Sequence, residues 1–324
     1  MRRVLGTTLT GLGAFLLVLA LLLRFVLPGQ VIKFPLNEYV VSTLAGQGVS
    51  YFSQGQGKVI TGVSVKITST IWGDVAAGTS STAVWNEFTA VEDATNNSAI
   101  QYISQRSAFD RRSGLIVDCC GAYVNITSVR TTSGHQSGLA YAWPIGTQPI
   151  TYDVFDAILG RPEPYRYAGT GTIDGMTADK FVEQISNQQF ATQSLGGRLV
   201  GLPGQPLVTL PEVITETNTV WVDPVTGAPL SETEDRTLSL QDSAGTTRLL
   251  LFQGVLSSTP ATVKTAVNTA SSSHLKIEVI EDIGPLVTLL LGVILLVVGI
   301  TLSVTRRDDD EFVYETDEPV GSTF

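Results

Sequence analysis

Two long apolar runs bracket this chain, and between them apolar and polar residues alternate in short stretches. Val4–Leu27 carries a single charge, Arg24, near its far end, and Ile283–Val304 carries none. At ~1.5 Å of rise per residue, each run is long enough to cross roughly 30 Å of hydrocarbon as a helix. Arg24 would then stretch its charged head toward the lipid headgroups. The small residues Gly6, Gly11, Gly13, Gly292 and Gly299 form no GxxxG pair, so the runs give little sign of how they pack.

In the intervening region the period is mostly two. Val63, Val65 and Ile67 alternate with Ser64, Lys66 and Thr68 inside 62–73, and Leu275, Ile277 and Val279 alternate with His274, Lys276 and Glu278 inside 274–280. Further β-rich runs cover 83–91, 100–109, 121–129, 218–222 and 246–255, separated by Gly, Ser, Thr, Asn and Asp clusters. Short helices are expected at 41–45 and 151–159, while 177–190 fits either a helix or a strand, because Phe181 and Ile185 share a face in both.

The pattern predicts a mainly antiparallel β fold, as two tandem half-barrel or sandwich-like subdomains with a few short helices, flanked by two transmembrane α-helices. The division is 1–27 for the first span, 28–150 and 151–282 for the subdomains, 283–305 for the second span and 306–324 for a tail. A frame of apolar-Asp-x-x-Ser/Thr-Gly occurs twice, as Phe109–Leu115 around Asp110 and Gly114, and as Val222–Ala228 around Asp223 and Gly227. Each reads as a turn in which Asp accepts backbone N–H groups ahead of it and Gly supplies a positive φ. Two unrelated hairpins and two related subdomains meeting near 144–164 both fit this recurrence.

Charge sets the topology. Arg2 and Arg3 precede the first span and Arg306 and Arg307 follow the second, whereas Glu278, Glu281 and Asp282 lie before the second. The basic flanks put both termini in the cytoplasm and the β-rich region outside the inner membrane. A cleaved signal is the competing reading of the first run, but the run exceeds the usual signal core and ends in Leu-Pro-Gly-Gln without a small-x-small site. The tail carries seven carboxylates against two arginines and reads as solvated chain, with docking of a cytoplasmic partner through Phe312, Val313 and Tyr314 as the alternative.

The whole chain of 324 residues has a net charge of −10, a pI near 4.7 and a mean hydropathy of +0.22. Nucleic acid is excluded as a partner, since holding a phosphate backbone takes clustered Lys and Arg.

Chemistry is sparse. Cys119 and Cys120, the chain's two cysteines, are adjacent. A local vicinal disulfide is the leading expectation, an intermolecular bridge comes second, and a catalytic or metal role is remote because only His135 and His274 could complete a zinc site. No P-loop, Rossmann, HExxH or GxSxG pattern occurs, so no catalytic residue, cofactor or metal is expected and the chain reads as a non-enzyme. Asp174, Asp179 and Glu183 read as solvated surface carboxylates. The segments Asn96-Asn97-Ser98 and Asn125-Ile126-Thr127 fit the glycosylation sequon. Trp72, Trp85, Trp143 and Trp221 read as buried core, with the lining of an apolar cavity as the alternative.

The chain resembles the actinobacterial porin PorA family through its basic-start span, FDRRSGLIVDCCG at 109–121, AWPIGTQPITYDVFDA at 142–157, YAGTGTIDGMTADKF at 167–181 and VWVDPVTGAPL at 220–230. The resemblance implies a role in the cell envelope and carries no catalytic residues over. A single-chain outer-membrane barrel contains no uninterrupted apolar helices, so a pore would have to arise from a homo-oligomer. TIDGMTADKF and VWVDPVTGAPL are also similar to strand–turn–strand elements of LolA-like and LppX-like lipid carriers. That likeness implies a curved sheet whose apolar concave face shelters lipid or lipoglycan, and envelope lipid trafficking is the leading expectation. An oligomeric scaffold or porin-like channel is the alternative.

Overall fold

A computed structural model describes residues 2–126, 130–132 and 135–304. The tail with Arg306 and Arg307, and Thr127 of the second sequon, lie outside the described residues. Two compact units are present. One is built from the two ends of the chain, and the other comprises Ile32–His274.

In the first unit, α1 (Arg2–Phe25) leads through a short α2 (Leu27–Val31), and α4 (Gly284–Val304) forms the other long helix. Both α1 and α4 are long and apolar enough to cross a bilayer. They run antiparallel, because Gly6 sits against Gly299 and Ser303 while Gly13 sits against Gly292 and Leu296. The approach is backbone to backbone: a Cβ on Gly13 would lie 2.6 Å from the Leu296 nitrogen, and one on Gly299 would lie 2.5 Å from that of Thr10. Four glycines thus form the seam, spaced seven apart on each helix instead of four, and Gly11 faces open space.

At the opposite end of the pair, Arg24 donates to the Glu281 carbonyl at 2.5 Å and to Asp282 Oδ1 at 2.9 Å. The carbonyl is available because residue 285 is proline and has no N–H to return to it, which also accounts for the π-helical turn at Val279–Ile283. Arg24 is therefore held by protein partners.

Among the described residues the second unit holds twelve strands: β1 (Tyr39–Ser53), β2 (Lys58–Gly73), β3 (Thr82–Asp93), β4 (Ser98–Asp110), β5 (Tyr123–Ile126), β6 (Arg130–Thr132), β7 (Tyr152–Asp156), β8 (Arg161–Ile173), β9 (Met176–Leu195), β10 (Val208–Val222), β11 (Pro229–Gln241) and β12 (Thr247–Ser258). They follow the order β6-β5-β4-β3-β2-β1-β12-β11-β10-β9-β8-β7, with every neighbouring pair antiparallel. This is a mainly antiparallel β half-barrel. β12 returns beside β1, so strands from both halves of the chain form one sheet.

The two edges are stitched together by the segment around Leu139, which bridges Leu115 on one side and Val154 of β7 on the other. Ile116 N–H donates to the Gly138 carbonyl, and across the join Leu139 N–H donates to the Asp153 carbonyl and Phe155 N–H to that of Leu139. Phe155 packs there with Val124 and Ile126 of β5.

The Asp-x-x-Ser/Thr-Gly frames form matching turns. Asp110 Oδ1 accepts from the backbone of Arg112 and Ser113 and from Ser113 Oγ. Asp223 accepts from the backbone of Val225 and Thr226 and from Thr226 Oγ1. Gly114 (φ 70°) and Gly227 (φ 73°) close them in the left-handed region. Both turns grip the segment 140–146: Ala140 N–H donates to the Gly114 carbonyl, and Trp143 N–H donates to that of Gly227.

Several expected elements differ. Residues 41–45 lie in β1, paired from Val41↔Thr70 to Ala45↔Lys66, where cross-strand packing overrides a weak helical pattern. Residues 151–159 form β7 and a turn, and 177–190 lie in β9. Residues 274–280 are helical, because α3 (Pro260–Glu278) begins with Thr259 capping the Thr262 N–H and Pro260 in the first turn, and it propagates through the short alternation.

Two outcomes test this description. Gly13→Leu forces bulk into a backbone contact, so cross-linking between cysteines placed at Leu17 and Val293 falls sharply and thermal stability drops, overpacking costing about 1–3 kcal/mol. Asp223→Ala removes three hydrogen bonds at a buried turn and lowers stability by about 1–3 kcal/mol in urea unfolding.

Candidate functional site

The inward positions of the strands carry an unexpected chemistry. Along β3 they run Trp85, Glu87, Thr89, Val91; along β9, Phe181, Glu183, Ile185; and along β10, Ile214, Glu216, Asn218, Val220. In each strand polar residues lie between apolar ones. The result is a polar belt inside the curled sheet. Leu44, Val65, Ile67 and Leu256 border it on one side, and two aromatic groups, Phe34–Trp85–Phe109 and Trp143–Tyr165–Phe181, border it on the other.

The belt lines a cavity of about 290 Å³ whose walls include Glu87, Asp156, Glu216, Glu232 and Glu234, five carboxylates together with the guanidinium of Arg236. Arg236 donates from Nε to Glu216 Oε2 (3.1 Å) and from Nη2 to Glu216 Oε1 (2.9 Å), a two-pronged contact. Its Nη1 lies 3.1 Å from Glu234 Oε1 as an ion pair, without the alignment of a hydrogen bond. Asn218 Nδ2 donates to Tyr165 Oη and Glu232 Oε1, while its Oδ1 has no donor. Across the cavity, Ser69 and Thr89 donate to Glu87.

Glu183 stands apart from this arrangement. It is 1% exposed, and neither carboxylate oxygen has a hydrogen-bond partner. Burial, then the charges of Glu216, Asp156 and Glu163, push its pKa up to about 9. Burial also raises Glu234, to about 8, against the pull of Arg236, and it raises Asp156, Glu232 and Glu87. Ligand oxygens of Asp156, Glu183 and Glu216 all lie within 4.8 Å of one another.

The expected surface carboxylates divide. Asp174 is exposed in the β8–β9 turn, whereas Asp179 is buried and accepts from Thr170 Oγ1, and Glu183 is buried with neither oxygen hydrogen-bonded. The reason is parity: positions 179, 181 and 183 share the inward face of β9 with Ile185. The concave face is thus acidic and polar at its centre, not the apolar surface expected of a lipid carrier.

Asp110, Gly114, Asp223 and Gly227 lie at the paired turns described above. Cys119 and Cys120 are joined by a disulfide in an exposed loop, anchored where Arg106 Nε donates to the Cys120 carbonyl. The histidines lie elsewhere: His135 pairs with Asp118, and His274 stands 3.7 Å from Asp223. Among the tryptophans, Trp85 and Trp143 are buried, Trp221 is half-buried under Lys180, and Trp72 is 41% exposed.

The raised carboxylate pKa values fix the direction of a pH effect. Folded Glu183 holds its proton to about 9, whereas an unfolded glutamate releases it near ~4.3. Its contribution to stability is therefore complete below ~4.3 and is lost as pH rises through the folded value. In chelator, the thermal midpoint of the detergent-purified chain should fall between pH 5 and pH 9, and Glu183→Gln should flatten that fall. A midpoint that rises over this range would contradict the assignment.

A search of curated proteins finds no significant match. The model of the family described as Porin PorA matches residues 5–301, which takes in most of both long apolar helices and the whole β unit. The chain is therefore a member of the porin PorA family.

Proposed function

We propose that this chain is a non-enzymatic envelope protein, anchored by two inner-membrane spans with both termini in the cytoplasm, whose β unit works in a porin-like assembly of several copies. The assembly admits small hydrophilic solutes and favours cations. The observation that carries this reading is the cavity lining of five carboxylates and one arginine. An interior of that kind suits water and cations and disfavours acyl chains, which gain ~0.8 kcal/mol per CH₂ only from apolar surroundings. Membership of the family supports it as well.

The antiparallel pairing of α1 and α4 supports the two-pass topology, since it brings Gly6 and Ser303, near the two chain ends, to the same end of the helix pair. Apolar clusters flank the belt in both directions along the strands, which favours a conduit assembled from several copies over one running through a single copy. Carriage of lipid or lipoglycan has less support, because carboxylates line the centre of the concave face.

Planar-bilayer recording on the purified full chain tests the proposal. Stepwise conductance is expected, with a reversal potential under a KCl gradient on the potassium side. A silent bilayer from a verified oligomer sinks the conduit, and stoichiometric lipid released from the purified protein would return the lipid reading to first place.

A further inference from the structure

The belt confronts the fold with an electrostatic deficit that its own residues do not remove. Arg236 is engaged with Glu216 and Glu234, and no donor reaches Glu183. A buried carboxylate in this position takes up a proton, gains a basic partner or binds a metal ion, because an unpaired charge out of water is strongly unfavourable. A proton alone leaves the second oxygen, and the new O–H, without partners.

The geometry favours a metal. Ligand oxygens of Asp156, Glu183 and Glu216 lie within 4.8 Å of one another, and 4.8 Å is about the largest separation of two oxygens bound to one ion at roughly 2.4 Å. The donors come from β7, β9 and β10, so the site is held by sheet backbone and not by one mobile loop. Asp156 is further fixed by the backbone N–H groups of Leu159, on its Oδ1, and of Ile158. Two residues along β10 from Glu216, on the same face, Asn218 presents its amide oxygen without a donor. Every nearby donor is a hard oxygen, which selects calcium or manganese over zinc or copper.

We propose that Asp156, Glu183 and Glu216 bind one hard divalent cation inside the β unit. The ion neutralises the carboxylate excess that Arg236 alone leaves and ties β7, near the join of the sheet's edges, to β9 and β10. This inference goes beyond the conduit reading and does not depend on it.

Titration calorimetry with CaCl₂ and MnCl₂ on the full chain, in detergent after EDTA treatment, tests it without any bilayer. The expected result is one ion per chain and a rise in the thermal midpoint. Glu183→Gln should weaken binding more than tenfold while matching the wild type in chelator by circular dichroism and thermal midpoint at pH 7 or exceeding its midpoint. Glu232→Gln, in the same cavity but outside the trio, should bind within about twofold of wild type. No binding by the wild type at millimolar metal overturns the proposal, as does undiminished affinity in Glu183→Gln, which would place the ion on other carboxylates.

Discussion

The grip of Arg236 on Glu216 and Glu234 is the interaction on which the interior of the β unit depends. Burial works to strip the guanidinium of its proton, and the two glutamates more than reverse that, so the arginine stays charged. Around this cation the fold tolerates a density of carboxylates that an apolar core of the same size would exclude. Such an arrangement is weak evidence for added stability and stronger evidence for use, because a sheet seeking only stability would fill the inward positions with Val and Leu.

That polar centre is kept in place by the way the sheet curls. The matching turns at Asp110 and Asp223 lie in different halves of the chain, yet both hold the segment 140–146, whose neighbour Leu139 joins the sheet's edges. Recurrence of a short sequence frame here serves a joint purpose, with one strap fixed from two sides. The close approach also explains the glycines: a Cβ on Gly227 would fall 2.0 Å from the Trp143 carbonyl, and one on Gly114 would fall 2.5 Å from that of Ala142.

Much of this architecture was legible in the sequence. The apolar ends, the period-two runs and both Asp-x-x-Ser/Thr-Gly turns announced themselves, because each depends on local chemistry. The acidic belt did not, although its signal was present: Glu216 and Asn218 fall on the same parity as Ile214 and Val220, and Glu183 on that of Phe181 and Ile185. A charge at an inward position is unreadable until the partner strand supplying Arg236 is known, and that partner is set by nonlocal pairing. The strand expected at 274–280 failed for the opposite reason, since a few alternating residues carry less weight than a helix already nucleated at Pro260. The glycine seam was overlooked because its repeat is seven and a four-residue motif was sought.

The seam also bears on how the protein is made. Some 258 residues separate the end of α1 from the start of α4, which at ~5–20 residues per second takes roughly a quarter of a minute to a minute to synthesise. In the two-span topology proposed above, Gly6 and Gly13 would face the lipid throughout that interval with no mate from their own polypeptide. On that topology the seam closes only after α4 has been made, so the pairing of the two helices is a late step of assembly.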